Sequence, residues 1–421
     1  MYICSKFVLV FMRYTPSEIR RLSKIAKRMT GAYLQKKVSV LFSDKTYVRN
    51  VFQTSYPKNA LIVYLPDAFK SKKLHKRHTN LTECYTAGKV LSELGYNVDA
   101  IDRLNKSFSD WGKYDLIYGT AVPVDATDVP VKIMYAPGAS GPFVLQETIK
   151  KVKGLIDEKG KGFFSSMRMA AAVLSPYGFI SSLVCDGVIV LGNGFVKKHH
   201  VQTDPDHPER FYNLPCFYFP ATPPDLDKKD FEKAKSHILW FGSMSLMHKG
   251  LDICMDIALA HPEISLHICG ALKRESDFWH YYNPLIKQAT NIIDHGFVNI
   301  DSPEFTSILE QCAFVVSPSI SEGGAAALLN VVGNGGLIPI YSENCGLDFA
   351  EIGYEIKGSP QKADFERVIL ESSRMEGECL RKMSKIALSH VRQNYTLEQY
   401  HSRLKAIIED ILRRKQGCLN S

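Results

Sequence analysis

No window of this sequence approaches the roughly 18 uninterrupted apolar residues of a membrane-spanning helix, so a helical integral membrane protein is not expected. The short apolar start, Phe7–Met12, has no recognisable signal-peptide cleavage site after it, and the protein is expected on the cytosolic side. The ten cysteines, at positions 4, 84, 185, 216, 254, 269, 312, 345, 379 and 418, include no CxxC pair, which argues against a disulfide framework and a zinc site alike. The net charge of +8 is also unevenly distributed: residues 15–38 hold seven basic side chains and one acid, leaving only +2 for everything else. In that segment Ile19, Leu22, Ile25, Ala26, Met29 and Tyr33 form one helical stripe, and Arg20, Arg21, Lys24, Lys27 and Arg28 lie on the other face. Such a helix suits either an anionic membrane surface, peripheral on the cytosolic face, or packing on the protein with a solvated basic side. No aromatic interleaving or binding module accompanies the charge, so no nucleic-acid partner is expected.

What is present is enough chain for two cores: 421 residues with 45% hydrophobic content. In the first half Ala60–Leu65, Asn97–Asp102, Tyr114–Gly119, Val131–Ala136 and Asp186–Leu191 read as strands, and Leu81–Leu94 as a helix ended by Gly95. The second half repeats this alternation of strand and helix, which predicts an α/β protein of two Rossmann-like domains with parallel sheets facing a central cleft. A hinge is expected in the Pro-rich stretch PCFYFPATPP, Pro215–Pro224.

The densest chemistry lies in residues 317–341, SPSISEGGAAALLNVVGNGGLIPIY, where a strand, an acidic Gly-Gly turn and a helix follow without a spacer. A helix N-terminus approached through glycines favours an anion such as phosphate, whereas Glu322 beside it is suited to accept hydrogen bonds from sugar hydroxyls. A phosphorylated sugar satisfies both. Some 70 residues earlier a second strand-loop-helix unit, HILWFG through HKGLD, carries Lys249 at its turn, a cation suited to a departing diphosphate.

Together with the strand ISLHICG (Ile264–Gly270) and the turn GFV (Gly296–Val298), these motifs resemble the nucleotide-binding half of retaining GT-B glycosyltransferases, glycosyltransferase family 4 (group 1), over about residues 237–415. The resemblance implies that Glu322, with Gly323 and Gly324, faces the donor sugar and pyrophosphate, that Lys249 assists the leaving group, and that Gly296 and Phe297 flank the nucleobase. It also implies retention of configuration and a final helix, about Leu397–Lys415, returning to the first domain. The domain organisation expected is a basic segment over 1–50, an acceptor-side domain over 51–220, a nucleotide-sugar domain over 225–395 and a terminal helix over 396–421. Two positions depart from the family pattern. The second acid of its Glu-x7-Glu motif is Asn330, a neutral group for the ribose, and its usual Gly-Arg is Gly242-Ser243, which removes one phosphate cation; Lys273 and Arg274 are either compensating cations or solvated loop residues.

Acceptor recognition is expected in the first half. The loop KSKKLHKRHTN ends in His78-Thr79-Asn80, which makes His78 and Asn80 candidates, and PGASGP offers Gly138 either as a close approach to ligand or as a plain turn. His75 and His78 have no suitably spaced third ligand, and Asp204-Pro205-Asp206 reads as a turn, so no metal and no cofactor beyond the donor are expected. The resulting expectation is a metal-independent glycosyltransferase acting from a nucleotide sugar on a glycan or lipid-linked acceptor in surface polysaccharide or glycoconjugate synthesis. A nucleotide-binding pseudo-enzyme that serves as an assembly subunit, and an epimerase of the same fold, are the alternatives.

Overall fold

The computed structural model describes residues 47–70, 78–103, 105, 108–120, 122–168 and 177–419. The basic segment 15–38, and His75 with most of its loop, lie outside the described residues. The first set of elements is β1 (Tyr47–Val48), β2 (Lys58–Tyr64), α1 (Thr79–Glu93), β3 (Tyr96–Asp102), β4 (Leu116–Gly119), β5 (Val131–Ala136), α2 (Gly141–Lys159), α3 (Tyr177–Leu183), β6 (Gly187–Leu191), α4 (Gly194–Val201) and β7 (Phe211–Leu214). Its seven strands pair in the order β1-β3-β2-β4-β5-β6-β7, parallel except for β1 against β3. The buried runs of β2 and β6, ALIVY and GVIVL, explain the parallel pairing, since strands covered on both faces are apolar at every position. β7 escapes the sequence pattern because only Phe211 and Leu214 of its four residues are buried, too few to establish a period.

The second set is α5 (Phe231–Ala234), β8 (His237–Phe241), α6 (Leu251–Ala260), β9 (Ser265–Cys269), α7 (Ser276–Ile286), β10 (Ile292–Gly296), α8 (Pro303–Gln311), β11 (Phe314–Ser317), α9 (Ala326–Gly335), β12 (Ile338–Ser342), β13 (Tyr354–Ile356), α10 (Lys362–Ser372), α11 (Gly377–Asn394) and α12 (Leu397–Leu419). Its six strands are all parallel, in the order β10-β9-β8-β11-β12-β13. Successive connections therefore run one way from β8 and the other way from β11, and the gap between those two strands is the switch point where such sheets bind ligands. The first sheet has an equivalent point between β2 and β4.

Among the described residues, three segments reach from one half of the chain to the other. Between β7 and α5 the chain crosses through Pro215–Pro224, held by two amides one turn apart on α9: Asn330 Oδ1 accepts the Phe219 N–H at 2.8 Å, and Asn334 Oδ1 accepts that of Ala221 at 2.6 Å. Helix α12 then packs on the first domain, where Tyr400 donates to Tyr135 at 3.3 Å and Lys405 pairs with Glu93 at 3.2 Å. The third is α2, which starts at the first sheet and ends against the second domain. There Lys151 pairs with Asp252 at 2.5 Å, Lys159 with Asp256 at 2.6 Å, and Leu155, Phe163 and Met167 join the second hydrophobic core. All eight described cysteine thiols are free, and among the described residues no helix is long and apolar enough to cross a membrane.

Candidate active site

The loops leaving β8 and β11 at the second switch point are fastened to each other. The Ile320 N–H donates to the His248 carbonyl at 3.0 Å, and His248 Nε2 lies 2.8 Å from Ser321 Oγ. Gly250 adopts φ +72°, and a Cβ there would fall 2.2 Å from the Pro318 carbonyl oxygen, so only glycine lets the loops approach this closely. The consequence is a fixed charge pair: Lys249 Nζ is 3.0 Å from Glu322 Oε1.

A second cation reaches the same carboxylate from the arm after α2. Ser166 Oγ bonds Asp277 at 2.5 Å and its carbonyl accepts the His248 N–H at 3.2 Å, which anchors the arm beside the site. Arg168, two residues on, then grips Glu322 with both guanidinium nitrogens, at 3.1 and 3.0 Å. Burial would raise the Glu322 carboxyl, but Arg168 and Lys249 outweigh it and hold the group well below the ordinary carboxylate range. Burial, followed by the charge of Arg168, lowers His248 to about 3, so its imidazole is neutral and contributes hydrogen bonds rather than charge.

The glycines after Glu322 serve domain contact. A Cβ on Gly323 would meet the Pro137 oxygen at 2.5 Å and Gly138 Cα at 2.7 Å; one on Gly324 (φ +71°) would meet Cys216 Cβ at 2.9 Å. These glycines were expected to approach a ligand; the close approach they make in this structure is to the neighbouring domain. Ala325 also has positive φ, +27°, unusual for a residue with a Cβ, and α9 starts immediately beyond it without a side-chain cap; the Leu328 N–H donates to the Ala325 carbonyl at 2.9 Å, which leaves the amides of Ala326 and Ala327 without an intrahelical acceptor.

These groups border an interdomain cavity of about 680 Å³, within the range of small-molecule sites. Of the residues expected from sequence, Gly242, Ser243, Lys249, Phe297, Glu322, Gly323 and Asn330 line it on the second-domain side, and His78 and Asn80 on the first. Gly296 ends β10 directly before Phe297, a residue 68% exposed at the mouth. Gly138 abuts Gly323 and its carbonyl bonds His200 Nε2 at 2.8 Å. Arg274 lines the cavity, whereas Lys273 is placed over the Trp279 ring, 5.5 Å from its centroid. Asp204 of the DPD triplet pairs with Arg210 and His207 in a turn.

Asn330 differs most from its expected role. Its oxygen accepts from Phe219 and its NH2 donates to the Ala326 carbonyl at 2.7 Å, so its main work is holding the interdomain linker, and one N–H and one lone pair are left for any ligand. Sequence reasoning missed Arg168 and Glu83. An isolated arginine in SSMRM carries no signal. Glu83 did carry one, being a carboxylate on the α1 stripe of Cys84, Ala87 and Val90 that faces the core. A separate concavity of about 520 Å³ beside β13 is lined by charges that satisfy one another, Lys357 with Glu355 and Arg367 with Glu371.

No protein-family model matches this sequence, and no curated protein matches it significantly. Solved structures match the fold. A sucrose-phosphate synthase from Thermosynechococcus elongatus has a TM-score of 0.58 at 12% identity, covering 85% of this chain and 99% of the other. HepE from Anabaena, solved with UDP-glucose, has a TM-score of 0.52 at 12% identity over 84% and 99% of the two chains. A glycosyltransferase from Rickettsia africae gives 0.50 at 13% identity over 85% and 99%. At such identities the likeness is one of fold, and two parallel-sheet α/β domains around a cleft are the GT-B glycosyltransferase architecture.

Proposed function

We propose that this chain is a glycosyltransferase that moves a sugar from a nucleotide-sugar donor to a glycan or lipid-linked acceptor. The observation that carries the reading is the arrangement of Glu322, Lys249 and Arg168 at a Rossmann switch point, next to a helix N-terminus and inside an interdomain cavity. In the reaction, Lys249, Arg168 and the start of α9 stabilise the departing nucleoside diphosphate, and Glu322 orients the sugar hydroxyls so that the anomeric carbon faces the acceptor. Arg168 takes the place of the cation absent at Ser243. Two fixed cations supply the positive charge that a divalent ion would otherwise bring, so activity is expected to survive a chelator.

Phe297 and Gly296 are assigned to the nucleobase, and Gly242 and Ser243 to the phosphates. Retention of configuration follows from the family 4 resemblance, and product-anomer NMR decides it. The complex of HepE with UDP-glucose makes that donor the first probe. Screening nucleotide sugars for enzyme-dependent hydrolysis and radiolabelled transfer tests the proposal, with Lys249→Ala and Glu322→Ala each expected to reduce turnover by about one to three decades. Full activity in both variants contradicts it. Asn330 favours one competing reading, a nucleotide-sugar fold retained as a binding subunit, which predicts no turnover of any donor.

A further inference from the structure

The neighbouring strands β8, β9 and β10 each contribute one histidine, and the donor reading uses none of them. His237 shares a face of β8 with Leu239 and Phe241, and His267 lies opposite Leu239 on that same face, which α8 covers with Phe305 at 5.3 Å from Phe241 between ring centroids. His237 Nδ1 is 2.8 Å from His267 Nε2, and His267 Nδ1 is 3.0 Å from His295 Nε2. The rings of His267 and His295 are parallel to within 13°. His267 is fully buried and the two outer residues are half-buried. The three imidazoles therefore form one hydrogen-bonded ladder across three strands.

The last rung adjoins the turn assigned to the nucleobase. The pairing of β10 with β9 shifts register between Asp294 and Gly296, so His295 is an extra residue with no opposite number, the arrangement by which a bulge re-aims a side chain. Gly296 follows at φ +67°, donates its N–H to Asp294 Oδ1 at 2.9 Å and accepts the Gly270 N–H at 2.7 Å, and Phe297 then reaches the cavity mouth. Strand β10 is at the sheet edge, so the ring of His295 ties this turn to the interior from a strand with one neighbour. The ladder also limits its own charge. Three neutral rings carry three ring protons, and two links with two outer nitrogens have room for four, so a second added proton breaks a link. Burial lowers all three rings, His267 to about 4 with its two neighbours' charges adding to the effect, while Glu304 on α8 and Asp294 act on His295 in the opposite sense. Burial raises the thiols of Cys269 and Cys312, and Lys229 donates to the Leu309 and Cys312 carbonyls.

We propose that His237, His267 and His295 are positioning residues for the nucleobase: their ladder fixes the β10 bulge and, through it, the Gly296-Phe297 turn against which the base of the donor rests. This rests on the donor reading given above. The three histidines are not among the residues lining the cavity, and they act through Gly296 and Phe297. Breaking a link leaves a buried imidazole nitrogen without its partner and loosens an edge strand. The loss falls on recognition of the base, because Lys249 and Arg168 keep their grip on the diphosphate. Acid acts in the same direction. The ladder admits one added proton whereas three free rings would take three, so opening of β10 takes up protons, and nucleotide affinity falls as pH drops below the ordinary histidine range.

The test titrates UDP, ADP, GDP and inorganic pyrophosphate by calorimetry into wild type, His267→Leu, His295→Leu and His267→Gln. At about pH 7.5 nucleotide affinity should fall about ten- to hundredfold in the two Leu variants. It should fall less in His267→Gln, whose amide supplies one donor and one acceptor. Pyrophosphate, which has no base, should behave alike in all four proteins. The wild-type advantage should shrink between about pH 7.5 and 5.5; titration of the nucleotide's own terminal phosphate is common to every protein and cancels. Ring nitrogen NMR of wild type should show His267 uncharged at about pH 5.5. Cooperative urea unfolding shows which variants fold, and His267→Gln carries the comparison if a Leu variant does not. Unchanged nucleotide affinity in the folded variants overturns the proposal, as does an equal loss for pyrophosphate or a His267 ring that charges at the ordinary histidine pH. A wild type that binds none of the three nucleotides overturns the donor reading and the ladder's role with it. Failure of the ladder alone is told apart from that by a wild type that binds a nucleotide and variants that bind it equally.

Discussion

Replacing Glu322 by Gln should lower stability and turnover while it strengthens the binding of a nucleoside diphosphate. The carboxylate is 13% exposed and neutralises Lys249 and Arg168, whose side chains are 17% and 32% exposed. At 3.0 Å and an effective dielectric near 20, each pair is worth about 5–6 kcal/mol before desolvation. Desolvation offsets most of that in the intact site, but removing the anion leaves two cations facing each other, a loss of about 3–5 kcal/mol for a fully buried partner. The partial exposure of Arg168 brings the expectation to about 2–4 kcal/mol, a fall of several degrees in Tm by calorimetry. The same loss frees both cations for a polyanion, so UDP should bind about tenfold tighter, about 1.4 kcal/mol, while sugar transfer falls by about one to three decades. The sign with pH is also set. Glu322 is depressed in the folded protein, so its contribution is present above the unfolded value near 4.5 and is lost as pH falls through the folded value; the variant should lose less stability in acid than wild type. Weaker UDP binding by Glu322→Gln would refute the placement of Lys249 and Arg168 against phosphate.

Two further outcomes follow from single side chains. Asn330→Asp restores the acid of the family pattern but sets a carboxylate oxygen against the Ala326 carbonyl, so it should cost about 1–3 kcal/mol in urea unfolding and leave UDP affinity no better; a gain in affinity would return Asn330 to the ribose. Glu83 is raised from 4.5 to about 7, so its contribution is complete below the unfolded value and is lost as pH rises through the folded one. Wild-type stability relative to Glu83→Gln should therefore decline by about 3 kcal/mol between pH 4.5 and 8, as read from urea unfolding across that range.

The sheets were legible where a central strand is apolar along its buried run, as in ALIVY and GVIVL, and because HKGLD and SEGG punctuate the alternation at the switch point. The order of those motifs implied that Lys249 and Glu322 serve one site, but not that they pair as ions. Contacts that depend on how the halves meet were not legible. Arg168 reaches Glu322 because α2 and the arm after it leave the first sheet and pack Leu155 and Phe163 into the other core, a path that no local pattern in SSMRM encodes. Similarly, Gly323 reads as a ligand-facing glycine until Pro137 and Gly138 of the other domain are found in the space a Cβ would occupy. Asn330 and Asn334, four residues apart on α9, read as helix-interior polar residues until the linker amides they hold are in view.

On the proposed reading this cavity binds a nucleoside diphosphate through Lys249 and Arg168. Calorimetric titration of UDP, ADP and GDP into wild type and into the Lys249→Ala/Arg168→Ala double variant tests it most directly. The account predicts saturable binding of at least one of the three by wild type, weakened about 10²-fold or more in the double variant, since each charge-assisted phosphate contact is worth about 1.5–3 kcal/mol. Equal affinities in the two proteins, or no binding of any of the three by wild type, would contradict it.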